Sequence, residues 1–232
     1  MSTYLLVHGA WHTGESWDRV VPLLTSAGHR VLAPTLRSDG PEVGLDTHIA
    51  QVVELITEHD LREVILVGHS YGGLVISGVA NEIPDRIGHL VYLDAMVPVD
   101  GETAVDIHPI TAKLIELAAQ SEGGWRVPPL PETPLGLFGI TDPEDKAWVR
   151  SMLTDQPVRC LQQPVRLDNP ATMRIPRTHI HCTANRPAGI TRRPVPPIQP
   201  NGEPAQVWEL PTGHDCMVTM PAELTELLLK VG

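Results

Sequence analysis

Cationic side chains are scarce: 17 Lys and Arg stand against 28 Asp and Glu in 232 residues, a formal charge of -11. The summed field repels phosphate backbones and anionic lipid headgroups, so neither nucleic acid nor a membrane surface is expected as a partner. Long apolar runs are missing as well. Nothing approaches the roughly 20 residues needed to cross a bilayer, and residues 4–7 are too short, and lack the basic start, for a signal peptide. A cytoplasmic location is expected. Cysteine is rare, with Cys160, Cys182 and Cys216 giving an odd count and no C-x-x-C spacing. That argues against a disulfide framework or a zinc site, so all three are expected to be reduced. No G-x-G-x-x-G, G-x-x-x-x-G-K-[ST] or H-E-x-x-H is present, so neither a cofactor nor a metal is expected.

What remains is an ordinary soluble composition, 42% hydrophobic and 19% charged, in a chain long enough for one domain or one domain with a large insertion. Proline is the outlier, 23 residues, roughly 10% against about 5% on average. The prolines crowd into 127–143 and 187–204, which read as ordered excursions from a core. Elsewhere short apolar runs at 4–7, 30–33, 64–67, 90–93, 178–182 and 207–210 alternate with stretches of helical period, the pattern of β-α-β units and a parallel sheet covered on both faces. Trp17, Val20, Val21 and Leu24 form one helical stripe ending at Gly28, and Ile49, Val52, Val53 and Ile56 form a second. Further helices are expected from Tyr71 to about Asn81 and over 221–231. The alternation breaks between Asp100 and Ala171 into helical pieces at 110–120 and 143–153. A core of residues 1–99 and 172–232, with 100–171 as a lid over the carboxyl ends of the strands, is the expected organisation.

The most informative residues are Gly68-His69-Ser70-Tyr71-Gly72, a G-x-S-x-G between an expected strand and an expected helix. Small residues permit a turn tight enough to lift the serine hydroxyl above the sheet, and the helix N-terminus offers N–H groups to developing negative charge. A serine hydroxyl needs a base, itself held by a third group. Among 11 histidines, His214 alone lies in a loop after the last expected strand. The first strand runs into His8-Gly9-Ala10-Trp11, where glycine allows close approach to the nucleophile. The amides of Ala10 and Tyr71 are therefore the candidate oxyanion hole, and His8 reads as structural.

These residues resemble the α/β-hydrolase superfamily, and more narrowly its branch of small esterases related to the hydroxynitrile lyases and plant methyl-ester esterases. The resemblance runs over most of the chain. It is carried by Leu5-Leu6-Val7-His8-Gly9-Ala10-Trp11-His12, Val67-Gly68-His69-Ser70-Tyr71-Gly72-Gly73, Val91-Tyr92-Leu93-Asp94-Ala95 and Gly213-His214. It implies an α/β-hydrolase fold with a mostly parallel sheet of about six strands, helices on both faces and a helical lid. The implied activity is a cofactor-independent serine hydrolase acting on a carboxylic ester or lactone.

Two departures bear on the site. In the plant members a Cys-Thr-x-Asp pattern supplies the acid; here the stretch is Cys182-Thr183-Ala184-Asn185, and an amide cannot carry the charge that stabilises an imidazolium. Asp94, at the end of the preceding strand, is the replacement that other superfamily members suggest, with Asp215 and Asp100 as alternatives. The lyases of the branch carry a threonine in place of Gly9 and a lysine in place of Asp215, so cyanohydrin cleavage is disfavoured.

Trp11, Trp125, Phe138 and Trp148 are candidate substrate-binding residues that packing alone explains equally well. His179 and His181 have a spacing that could chelate a metal, but no third ligand accompanies them, and Arg192-Arg193 reads as a solvated loop pair. Two other functions stay open: a lyase, cyclase or decarboxylase using Ser70 and His214 without acylation, and a ligand-binding protein on a hydrolase scaffold. The expected partner is a small-molecule substrate; the oligomeric state is not legible.

Overall fold

A computed structural model describes residues 1–184 and 192–232. In chain order the elements are β1 (Thr3–Val7), α1 (Val21–Ser26), β2 (Arg30–Leu32), α2 (Leu45–Glu58), β3 (Val64–His69), α3 (Gly72–Glu82) and β4 (Ile87–Leu93). Then come α4 (Ala104–Ile107), α5 (Thr111–Ala119), β5 (Arg126–Val127), α6 (Pro143–Met152), β6 (Gln156–Pro157) and α7 (Arg159–Gln162), before β7 (Arg177–Cys182), β8 (Gln206–Leu210), α8 (Cys216–Thr219) and α9 (Pro221–Leu229).

Six strands form one parallel sheet in the order β2-β1-β3-β4-β7-β8. Period-2 alternation explains its layering, because successive side chains of a strand point to opposite faces. Leu5, Val7, Val64, Leu66, Leu90 and Tyr92 join one apolar cluster, which α2 and α3 cover with Ile49, Val52, Ile56, Leu74 and Val75. Tyr4, Leu6, Ile65, Val67, Val91 and Leu93 join the other, which Leu24 of α1 and Leu224 and Leu228 of α9 cover. The fold is that of the α/β-hydrolases, as expected.

The first helix departs from its expected stripe. A 3-10 turn at Gly14–Trp17 takes Trp17, and α1 begins only at Val21. Pro22 explains the break, since a proline lacks the N–H that a helix interior needs and suits a first turn. The segment between β4 and β7 holds α4 to α7 and an antiparallel ribbon of β5 with β6, whose two-residue strands are too short to show alternation. That segment leaves and rejoins the sheet at one place: Gly101 N donates to Val165 O (2.8 Å), Val165 N to Glu102 O (2.9 Å), and Leu167 N to Asp100 Oδ1 (2.7 Å). Among the described residues, no helix is long and apolar enough to cross a membrane.

Candidate active site

Strand β3 is buried throughout and delivers the chain to Ser70, whose φ of +54° lies in the left-handed region that a non-glycine residue adopts at a cost. Three main-chain bonds hold it there. Ser70 N donates to Leu93 O (3.2 Å), and Ser70 O accepts from Gly73 N (3.1 Å) and Met96 N (3.0 Å). Helix α3 starts two residues later, so Ser70 sits at its N-terminus, partly exposed to a cavity.

His214 follows β8, and its Nδ1 donates to Asp94 Oδ2 at 2.7 Å. That bond fixes the tautomer and leaves Nε2 unprotonated in the neutral ring. Burial alone would lower the His214 pKa, but the hydrogen bond and charge of Asp94, helped by Asp215, raise it above the ordinary imidazole value. Asp94 stands directly after β4 with φ +42°. Its Oδ1 accepts from Cys182 N (3.4 Å) and pairs with the Arg192 guanidinium, which also donates to Cys182 O (3.0 Å). The alternatives are engaged elsewhere: Asp100 is exposed and holds Leu167 N, and Asp215 holds His12. Asn185 lies outside the described residues. Arg192 and Arg193 are not a solvated pair, for Arg193 reaches Glu102 (2.6 Å) and Val97 O (2.9 Å).

The loop after β1 packs directly on the serine. A Cβ on Gly9 would lie 2.9 Å from Ser70 Cβ and 3.0 Å from His69 Nδ1, so only glycine fits. Neither the Ala10 nor the Tyr71 amide has a protein acceptor among the described residues. The Tyr71 side chain turns into the core, its hydroxyl donating to His48 Nδ1 (2.9 Å) while His48 Nε2 donates to Arg37 O (2.7 Å). His8 is structural: Nδ1 donates to Gly9 O (2.8 Å), Nε2 accepts from Leu36 N (2.9 Å), and burial pushes its pKa down to about 3.

His12 is a residue that the sequence reading gave no role. Its Nδ1 donates to Ala10 O (2.8 Å) and its Nε2 to Asp215 Oδ2 (2.9 Å). A ring that donates from both nitrogens is an imidazolium. Burial alone would lower the His12 pKa, yet the Asp215 carboxylate carries it above the ordinary value; burial would raise Asp215, and the His12 cation holds it below the carboxylate range. His69 donates from Nε2 to His214 O (3.0 Å), and burial pushes its pKa down to about 3. Nothing local in the sequence could have signalled the His12 pair, whose partners are 203 residues apart.

The cavity, about 190 Å³, is lined by Ser70, Asp94 and His214 and, across from them, by apolar residues of the β4–β7 segment including Ile107, Leu114 and Leu137. Trp11 and Phe138 line it, with ring centroids 6.0 Å apart. The indole of Trp11 is fixed by a bond from Nε1 to Val127 O (3.0 Å). Trp125 and Trp148 do not line it. Trp125 lies against the Arg126 guanidinium at 4.5 Å, and Trp148 packs under Arg19 at 4.6 Å. His179 and His181 line the cavity as well, and among the described residues no third ligand forms a compact trio with them.

The model of the Alpha/beta hydrolase family matches residues 4–227. The chain is an α/β-hydrolase. The carbendazim hydrolyzing esterase of Nocardioides sp. (strain SG-4G) is 36% identical to this α/β-hydrolase over the full length of both chains. The alpha-hydroxynitrile lyase of Arabidopsis thaliana is 38% identical over 107 residues, 41% of this chain and 40% of that one. Among solved structures, an extracellular alpha/beta-hydrolase from a Paenibacillus species superposes with a TM-score of 0.83 at 26% identity, covering 100% of this chain and 99% of its own. The relatives include esterases and hydrolases, consistent with the branch that the motifs suggested.

Proposed function

We propose that this α/β-hydrolase is a cofactor-independent serine hydrolase that cleaves a carboxylic ester or lactone of a small, largely apolar substrate through an acyl-enzyme. The observation that carries the reading is the 2.7 Å bond from His214 to Asp94, beside a strained Ser70 in one cavity. Ser70 Oγ attacks the carbonyl carbon while His214 Nε2 takes its proton, and the oxyanion is received by the amides of Ala10 and Tyr71. Collapse of the tetrahedral intermediate releases the alcohol, protonated by His214, and leaves an acyl-serine that water hydrolyses with His214 again as base. Asp94 holds the imidazole and balances its charge. Residues 100–171 act as the lid that shapes the substrate site, and Trp11 and Phe138 form part of its wall. Lyase chemistry is disfavoured, since Gly9 leaves no space for a threonine and the residue after His214 is an aspartate held by His12, not a lysine that could stabilise a departing anion. The full-length esterase relative supports the hydrolytic reading.

Intact-protein mass after fluorophosphonate treatment tests the proposal, run beside hydrolysis of p-nitrophenyl esters. Wild type should gain one adduct, and Ser70→Ala should gain none and lose turnover by about 10⁴-fold or more. A folded wild type that takes no label, or a Ser70→Ala variant with near-wild-type rates, refutes it.

A further inference from the structure

His179 is unlike every other buried histidine. His8, His12, His48 and His69 each spend ring nitrogens on protein partners at 2.7–3.0 Å, whereas neither ring nitrogen of His179 bonds to any described residue. It is nevertheless only 8% exposed, and what it faces is the cavity that holds Ser70. A ring with no protein partner that faces a cavity is placed to hydrogen-bond whatever fills it.

The surroundings define that partner's chemistry. His179 on β7 is the cross-strand neighbour of Tyr92 on β4, and the two rings stack at 5.2 Å and 13°. Ser77 Oγ donates to Gly73 O (2.7 Å), so the Tyr92 hydroxyl must donate to Ser77 Oγ (2.9 Å) and has no further proton to offer a ligand. Burial first, then His181 and Arg177, push the His179 pKa down to about 4. The ring is therefore neutral at pH 7, with one donor and one acceptor. Arg192 and Arg193, on the same wall, each hold a carboxylate of the protein, Asp94 and Glu102. A carboxylate or phosphate on the substrate would find no unpaired cation among these groups. The remaining wall is chiefly apolar, with Ile107, Leu114 and Phe138 among its residues.

We infer that His179 is a specificity residue for esters carrying a planar, uncharged group with a hydrogen-bonding N–H or ring nitrogen, held against the Tyr92–His179 wall. The inference rests on the reading of the cavity as an ester-hydrolysing site. Strand spacing gives the reach: two strands of about 4.8 Å and two residues of about 3.3 Å separate the His179 level from Ser70, which puts that group roughly 10 Å from the scissile bond. An aryl or heteroaryl body spans this gap and fills the apolar wall.

Matched p-nitrophenyl esters test it: 3-(indol-3-yl)propanoate, 3-(naphth-1-yl)propanoate and 3-(4-carboxyphenyl)propanoate, with a second series placing the same rings on the alcohol side of an acetate. Wild type should favour indole over naphthalene by about tenfold in kcat/KM in one series and turn over the carboxylate poorly. His179→Phe keeps a ring against Tyr92 and removes the nitrogens. It should abolish the indole preference while leaving the naphthyl rate within about twofold, and His179→Gln should restore part of the preference. An unchanged indole-to-naphthyl ratio in His179→Phe in both series, or equal losses on every ester, overturns the inference. If wild type hydrolyses none of the esters, the hydrolase reading has failed instead. The subsite is then read by binding of indole-3-propionamide against its naphthyl analogue to Ser70→Ala and Ser70→Ala/His179→Phe, and equal affinities would refute it.

Discussion

The acid on His214 illustrates what a single residue contributes and how far it can be foreseen. Ser70 was legible because its chemistry is packed into five consecutive residues, and His214 because it follows the last strand. Asp94 was harder: it was favoured because it closes the strand before the insertion, but with Asp100 and Asp215 as alternatives only the convergence of the ends of β4 and β8 separates it from them. Arg192 was misread, because its partner Asp94 is 98 positions away and a basic pair in an acidic chain looks solvated. In the proposed mechanism His214 must be neutral to act as the base, and its folded pKa is raised. The rate therefore rises with pH through a midpoint above the ordinary imidazole value of 6.5. In Asp94→Asn that midpoint should move down while kcat falls by about 10³- to 10⁴-fold. A pH profile of kcat/KM checks both, and an unmoved acidic limb would show that Asp94 does not hold the base.

Elements were the most legible level, since buried parallel strands announce themselves as apolar runs and the helices that cover them as stripes. All six expected strands sit in the sheet within a few residues of their expected limits. What failed was local competition: Pro22 divides the first helix, two-residue strands carry no period, and the aromatics of 100–171 look alike in sequence whether they face a cavity or a cation. Trp125 and Trp148 face cations. The loop after β1 has a single geometry, because it approaches Ser70 more closely than any side chain allows. Gly9→Ala should lower the fluorophosphonate labelling rate and kcat by about 10- to 100-fold with a much smaller change in KM, as displaced oxyanion donors do. Stopped labelling kinetics beside steady-state rates would decide it; wild-type labelling would mean that the loop yields without harm.

Across the whole molecule, the His12–Asp215 pair ties the loop after β1 to the loop after β8, near the two ends of the chain. Both side chains are almost fully buried, 2% and 0% exposed, and losing one partner of such a pair typically costs about 3–5 kcal/mol. The direction with pH follows from the two shifts. The raised His12 gives stability that is complete below its unfolded value of 6.5 and fades as pH climbs through the folded one. The lowered Asp215 gives stability that is complete above 3.8 and fades as pH drops through its folded value. The pair therefore supports the fold best between those two unfolded values. Urea unfolding of wild type and Asp215→Asn across pH 4 to 9 should show the largest gap near pH 5, shrinking toward alkaline pH; a gap constant over that range would mean that the pair is not ionic.

The three bonds that join Asp100 to Leu167, Gly101 to Val165 and Glu102 to Val165 make the stretch between them a closed loop in space, entered and left through one narrow neck. A loop whose ends already touch can be lengthened, shortened or replaced at little entropic cost to the sheet beneath it. If that stretch is the lid proposed above, selection could rewrite what the site accepts by trading one cassette of about sixty residues, while Ser70, Asp94 and His214, at strand ends and a loop outside the neck, stay in place.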